Sequence, residues 1–217
     1  MSCPPCAGVG CYGEIARIIS STKGLYNLQT KGTGDPQLAI CIWHAMGDIV
    51  AEQLINKRSV VFNDFFHVSI KVKKIAYYDG TTRVFYKPQF MLEDDFTSKY
   101  KLKNVLETHD VHYQETSPSQ LSYNSVAYQC GADRFVVEAV LKDSVREMGK
   151  YILNDATAIL TIDLGFATLE LKNREYRIKW TPQFMDALKA AVGPDALVSP
   201  YDPPSMTTKG PSATQKE

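Results

Sequence analysis

From Asp35 to Asn56 apolar residues recur at helical spacing, with Leu38, Ile42, Met46 and Ile49 on one face. Asp35 suits the N-cap, because its carboxylate accepts the orphan backbone N–H groups of a first turn, and Pro36 suits that turn. The pattern then returns. Asp133 opens a second helix on which Val137, Leu141, Val145, Met148 and Ile152 share a face. The two end alike, in "LIN" at Leu54–Asn56 and "ILN" at Ile152–Asn154, and Asn tolerates the left-handed conformation that closes a helix.

Beyond each helix the period changes from helical to alternating. In "SVVFNDFFHVSIKV" Val68, Ile70 and Val72 alternate with polar residues, and in "AILTIDLGFATLEL" Ala167, Leu169 and Leu171 take the same register. A hairpin follows each run, turning at Asp79-Gly80 in one copy and near Asn173 in the other. Each hairpin reaches one motif, "YKPQFM" at Tyr86–Met91 and "WTPQFM" at Trp180–Met185. The proline is expected to end the last strand in both copies, with Phe-Met starting a short helix. Short helices are also expected ahead of the long ones, in "GEIARIIS" and "LSYNSVAYQ".

The pattern predicts an α+β chain built as one unit written twice. Each unit runs helix, long helix, three-stranded antiparallel sheet with a short arm, short helix. The division is an N-terminal arm (1–12), a first unit (13–100), a linker (101–120), a second unit (121–192) and an extended tail (193–217). The tail is rich in proline and cannot build a core of its own.

Composition narrows the function. With 44% hydrophobic and 11% aromatic residues the chain can fill real cores. Lys+Arg 24 against Asp+Glu 24 leaves no overall field to draw it to nucleic acid or an anionic membrane. Local charge remains around the hairpins. Lys71, Lys73, Lys74, Arg83 and Lys87 gather in the first copy, and Lys172, Arg174, Arg177 and Lys179, diluted by Glu170 and Glu175, in the second. Lysine-rich strands are first of all a device that keeps edges soluble and unpaired. As a binding surface they suit an anionic partner, either an acidic protein surface such as tubulin's or DNA phosphates.

The remaining features point away from chemistry. No apolar run comes near the roughly 20 residues that span a bilayer, and the N-terminus reads as no leader, so an intracellular protein with no membrane partner is expected. Five unevenly spread cysteines suit a reducing compartment. Cys3, Cys6 and Cys11 offer half of a zinc site, without the second ligand pair a structural zinc needs. His109 and His112 in "ETHDVH" lie three apart in the linker with no third ligand, and His44 and His67 fall in a helix and a strand. No nucleophile elbow, phosphate loop or dinucleotide fingerprint occurs. No catalysis, metal or cofactor is expected.

The element order, with a hairpin closed by an aromatic-x-Pro-x-Phe motif, resembles the HU/IHF fold of bacterial architectural DNA-binding proteins. "LGFATLEL" at Leu164–Leu171 is similar to the Gly-Phe-Gly-x-Phe turn of that family with its second glycine replaced. In the first copy Phe65-Phe66 stands where the Gly-Phe turn belongs. Two such units in a chain of zero net charge resemble the eukaryotic HU-domain proteins typified by coiled-coil-domain-containing protein 81, over residues 13–192, although no room is left for a long coiled coil. Bacterial HU proteins dimerise by intertwining two copies, so the resemblance implies an intramolecular pseudo-dimer. Eukaryotic members are associated with centrosomes, basal bodies and cilia. The resemblance therefore implies a non-enzymatic structural protein of the ciliary axoneme or basal body, a microtubule inner protein being one form. It would bind tubulin and neighbouring microtubule-associated proteins through its HU-like domains and tails. The alternative is an HU-type architectural DNA-binding protein. HU-type bending uses two long arms with a proline at each tip. The arms here read as shorter, and neither tip holds proline.

Overall fold

A computed structural model describes residues 36–76, 81–103, 118–154, 157, 159–194 and 196–201. The predicted helix at 13–20, the Asp35 cap, the Asp79-Gly80 turn, the Cys3/Cys6/Cys11 group, the histidines of "ETHDVH" and most of the tail lie outside these residues.

In the first unit a long helix α1 (Pro36–Ile55) leads into strands β1 (Ser59–Phe62), β2 (Phe66–Ala76) and β3 (Thr82–Leu92), then a short helix α2 (Asp94–Lys99). The second unit begins with α3 (Tyr123–Cys130) and α4 (Arg134–Asn154). It continues with β5 (Ile159–Asp163), β6 (Ala167–Lys172), β7 (Glu175–Trp180) and α5 (Pro182–Val192). Two further strands, β4 (Pro118–Gln120) and β8 (Ala196–Val198), flank the second unit in the chain. Local chemistry accounts for the helix ends. The Asp133 carboxylate accepts the Phe135 N–H at 2.7 Å, and Ser122 caps α3 by accepting the Ser125 N–H. Gly131, at φ 65°, closes α3 in the left-handed conformation that glycine adopts without strain. After α1 the left-handed residue is Lys57, at φ 60°, and not Asn56, because the helical turn runs one residue further, with the Lys57 N–H on the Leu54 carbonyl.

Each unit holds three antiparallel strands joined by hairpins. Strand pairing fixes how the repeat aligns. Phe66 pairs with Leu92 at the base of the first hairpin, and Ala167 with Trp180 at the base of the second. Phe66, Val68 and Ile70 therefore correspond to Ala167, Leu169 and Leu171, and all six are buried. This lies two residues from the expected match of Val68, Ile70 and Val72 to Ala167, Leu169 and Leu171, a shift that keeps every side chain on its own face.

The repeated hexapeptide is not structurally repeated. Pro182 opens α5 and Phe184 lies in its first turn, whereas Pro88 and Phe90 lie inside β3, opposite Ile70 and Val68. The residue that takes Phe184's place is Phe96 of α2. Phe65 meets Phe96 at 5.2 Å, and Phe166 of the second turn meets Phe184 at 6.2 Å. Pro88 is tolerated because β8 pairs only with Val84–Tyr86, so among the described residues no outer strand pairs at Pro88 to miss an N–H. The Gly-Phe turn shifts likewise. Asp64-Phe65 stands for Gly165-Phe166, Asp64 at φ 65° and Gly165 at φ 80°, since Asp is among the few residues that enter this region readily.

The two units form one body around one core, an intramolecular pseudo-dimer. Helix α1 packs against α3, α4 and α5 of the other unit. That explains why Ala39, Trp43, Ala45 and Val50 are buried along with Ile42 and Met46 of the predicted face, whose Leu38 and Ile49 are half-buried. By length and composition Gln37–Ile55 is apolar enough to cross a membrane, contrary to expectation, and here it is the central helix of the core. Aromatic rings cross the boundary at Phe62–Tyr123, Phe66–Phe166 and Phe90–Tyr176, each edge-on at about 6.5 Å. Backbone clasps add to them. β4 lies parallel to β1, and β8 parallel to β3, so the first unit's sheet has five strands in the order β4-β1-β2-β3-β8. The end of the segment read as linker and the start of the segment read as tail thus hold both edges of the opposite unit's sheet. In return the Lys103 N–H donates to the Arg174 carbonyl at 2.7 Å, and its ammonium pairs with Glu175.

Candidate interaction surface

The ladder from Phe66–Leu92 to Ala76–Thr82 makes an arm of eleven-residue strands. Its register sorts the cations. Lys71 stands opposite Lys87, Lys73 opposite Phe85 and Ile75 opposite Arg83, on the face that also carries Ser69 and Gln89. Lys74 lies on the other face, beyond the core residues Phe66, Val68 and Ile70. Neither strand contains an Asp or Glu. The middle of the polar face is closed from water: Lys71 is 5% exposed, Lys87 8%, Gln89 6% and Ser69 1%. Of the cations read as partner-binding, Lys71 is thereby removed from the solvent-facing set. Lys74 and Arg83 are exposed, and Lys73 is half-buried.

The second arm is shorter, with six-residue strands. Asn173 and Arg174, at φ 53° and 62°, form its two-residue turn where the sequence placed one. Lys172, Arg177 and Lys179 are exposed on a face they share with Glu170 and Glu175. Lys179 pairs with Glu170 at 2.6 Å, Arg177 stands opposite Glu170, and Lys172 stands opposite Glu175. Arg174 is a half-buried turn residue whose carbonyl is taken by Lys103. The face largely neutralises itself, as a solvated sheet face does.

A second feature escaped the sequence, since it exists only where the units meet. Gly47 of α1 admits the Leu164-Gly165 turn so closely that a Cβ there would overlap the Leu164 carbonyl. Val145 stands as far beyond Asp133 as Gly47 stands beyond Asp35. There the Asp64 turn and α4 leave a groove of about 530 Å³ between Phe62, Asp64, Phe96, Tyr100, Lys142 and Val145. At its edge Glu138 and Lys142 pair at 2.8 Å. Their hydrogen bond holds the Glu138 carboxyl below and the Lys142 ammonium above its ordinary range. Burial raises the neighbouring Tyr123 phenol.

Among the described residues no three His, Cys, Asp or Glu gather as a metal site. Cys41 and Cys130 are half-buried thiols outside any disulfide, and His67 is half-buried with its Nε2 out of reach of a hydrogen-bond partner.

Both halves match known families. Residues 16–104 match the family described as CCDC81 eukaryotic HU domain 1, and residues 117–192 the family described as CCDC81 eukaryotic HU domain 2. No curated protein matches the chain.

Proposed function

The chain belongs to the CCDC81-type eukaryotic HU-domain family, and from that premise we propose that it is a structural protein of the ciliary axoneme or basal body, joining tubulin to neighbouring microtubule-associated proteins. The HU-domain family is a non-enzymatic architectural fold. The observation that carries the reading is the asymmetry of the two arms. The first arm is eleven residues long and carries Lys74 and Arg83 exposed toward its tip, while the second is six residues long and carries Glu170 and Glu175 among Lys172, Arg177 and Lys179. One cationic arm on a chain of zero net charge suits local docking on an acidic protein surface. The clasped units supply a rigid body for it, and the chain beyond Tyr201, rich in Pro, Ser and Thr, suits wrapping onto neighbours.

Duplex DNA is the alternative anionic partner. It is less well supported, because HU-type bending uses two long basic arms, and here the second is short and self-neutralised. The test is a tagged full chain in ciliated cells together with cosedimentation on microtubules. Axonemal or basal-body signal with salt-sensitive pelleting supports the reading. Nuclear signal with tight duplex binding at physiological salt replaces it with the alternative.

A further inference from the structure

Pseudo-symmetry exposes an edge that the fold elsewhere fills. In the first unit both outer strands are covered, β1 by β4 and β3 by β8. The corresponding strands of the second unit, β5 and β7, have no strand beyond them among the described residues. β7 guards its edge with Arg177 and Lys179, whereas β5, "ILTID", carries no charge before Asp163 and begins with Ile159 at 56% exposure. Its register settles which backbone groups face out. The Leu164 N–H bonds the Ala167 carbonyl, so Leu160 and Ile162 also turn their N–H and C=O inward to β6. Those of Ile159, Thr161 and Asp163 point outward.

In the first unit the outward groups are Ser59 and Val61, and the chain itself shows what they take. The Leu121 N–H donates to the Val61 carbonyl at 2.8 Å, and the Ser119 hydroxyl to the Ser59 carbonyl at 3.0 Å. Leu121 is buried as it lands. The geometry points to the outer edge of β5 as a docking site for an extended segment of a partner protein. That segment adds as a parallel strand and is uncharged, with a small polar residue two places before an aliphatic one. Thr161 and Asp163 stand where Ser59 and Val61 stand on β1, and backbone pairing supplies affinity as in other strand additions.

The probe is a synthetic peptide Ser-Pro-Ser-Gln-Leu-Ser, which copies the sequence of residues 117–122, titrated into the ¹⁵N-labelled full chain. The Thr161 and Asp163 amides are expected to shift and to gain about tenfold protection from exchange. Thr161→Pro removes an outward N–H without breaking a ladder bond, so it should fold and bind the peptide at least about tenfold more weakly. Ile159→Lys, which adds a guarding charge, should weaken binding several-fold should the proline variant fail to fold. Three results overturn the inference: a Thr161 amide already protected in the free chain, so that the chain covers its own edge; a dimer that Thr161→Pro dissolves, so that the occupant is a second copy; or peptide shifts unchanged in both variants.

Discussion

Gly47 lies against the Leu164 carbonyl across the boundary between the two units, with no room for a side chain. A second close glycine, on α4, meets something softer. A Cβ on Gly149 would meet the ring of Tyr100, a side chain rather than backbone. Gly47→Ala should therefore cost about 2 kcal/mol net, because overpacking against a fixed carbonyl outweighs the roughly 1 kcal/mol of helix propensity that alanine gains. Gly149→Ala should be destabilising alone but neutral to stabilising in a Tyr100→Ala background. Denaturant unfolding of the four chains in that double-mutant cycle measures the coupling.

Phe96, not Phe90, is the structural partner of Phe184. Phe96→Ala and Phe184→Ala should each cost about 3 to 5 kcal/mol, since each removes a buried ring from a helix that closes its unit. The helix starts differ in quality. The Thr181 hydroxyl accepts the Phe184 N–H, while Glu93 makes no side-chain cap for α2. Thr181→Ala should cost about 1 kcal/mol and Glu93→Thr should stabilise by several tenths to about 1 kcal/mol, read as shifts in unfolding midpoint.

The repeat was legible because a helix face and a strand face need only spacing to be recognised, and Val137, Leu141, Val145, Met148 and Ile152 are all buried as that spacing predicts. Its register was not. The same Pro-Gln-Phe-Met at Pro88–Met91 and Pro182–Met185 folds as strand and as helix start, since strand pairing and not local sequence decides where β3 ends. The clasps β4 and β8 were equally hidden: three-residue strands such as Pro118–Gln120 carry no periodicity and exist only because an edge lies beside them. On the candidate surface the sequence located the cations, but the burial of Lys71 and Lys87 depends on tertiary cover that alternation cannot reveal.

Alkali should loosen the boundary at Tyr123. Burial raises this phenol above its ordinary value of 10.0, so the folded state holds the proton more tightly than the unfolded chain. Its contribution is complete below the unfolded value and is lost as pH rises through the raised one. Thermal midpoints should fall from about pH 10 upward in the native chain and less steeply in Tyr123→Phe. The exposed Glu138–Lys142 pair acts weakly, fading as acid protonates the lowered carboxylate and as alkali deprotonates the raised ammonium.

Charge reversal should separate the arms. Lys74→Glu with Arg83→Glu should reduce microtubule cosedimentation at least about fivefold at physiological salt. Arg177→Glu with Lys179→Glu should reduce it less than about twofold, because that face already carries acids. Equal losses from the two pairs would argue against a single docking arm.

The claim on which all of this rests is that two units of like design clasp as one body. A protease site placed between residues 104 and 117 of the full chain tests it directly, by cutting the covalent connection and nothing else. The cut halves should co-elute at the size of the intact chain and unfold in one cooperative transition, held by α1, β4, β8 and the shared core. Halves that separate on dilution and unfold independently would contradict it.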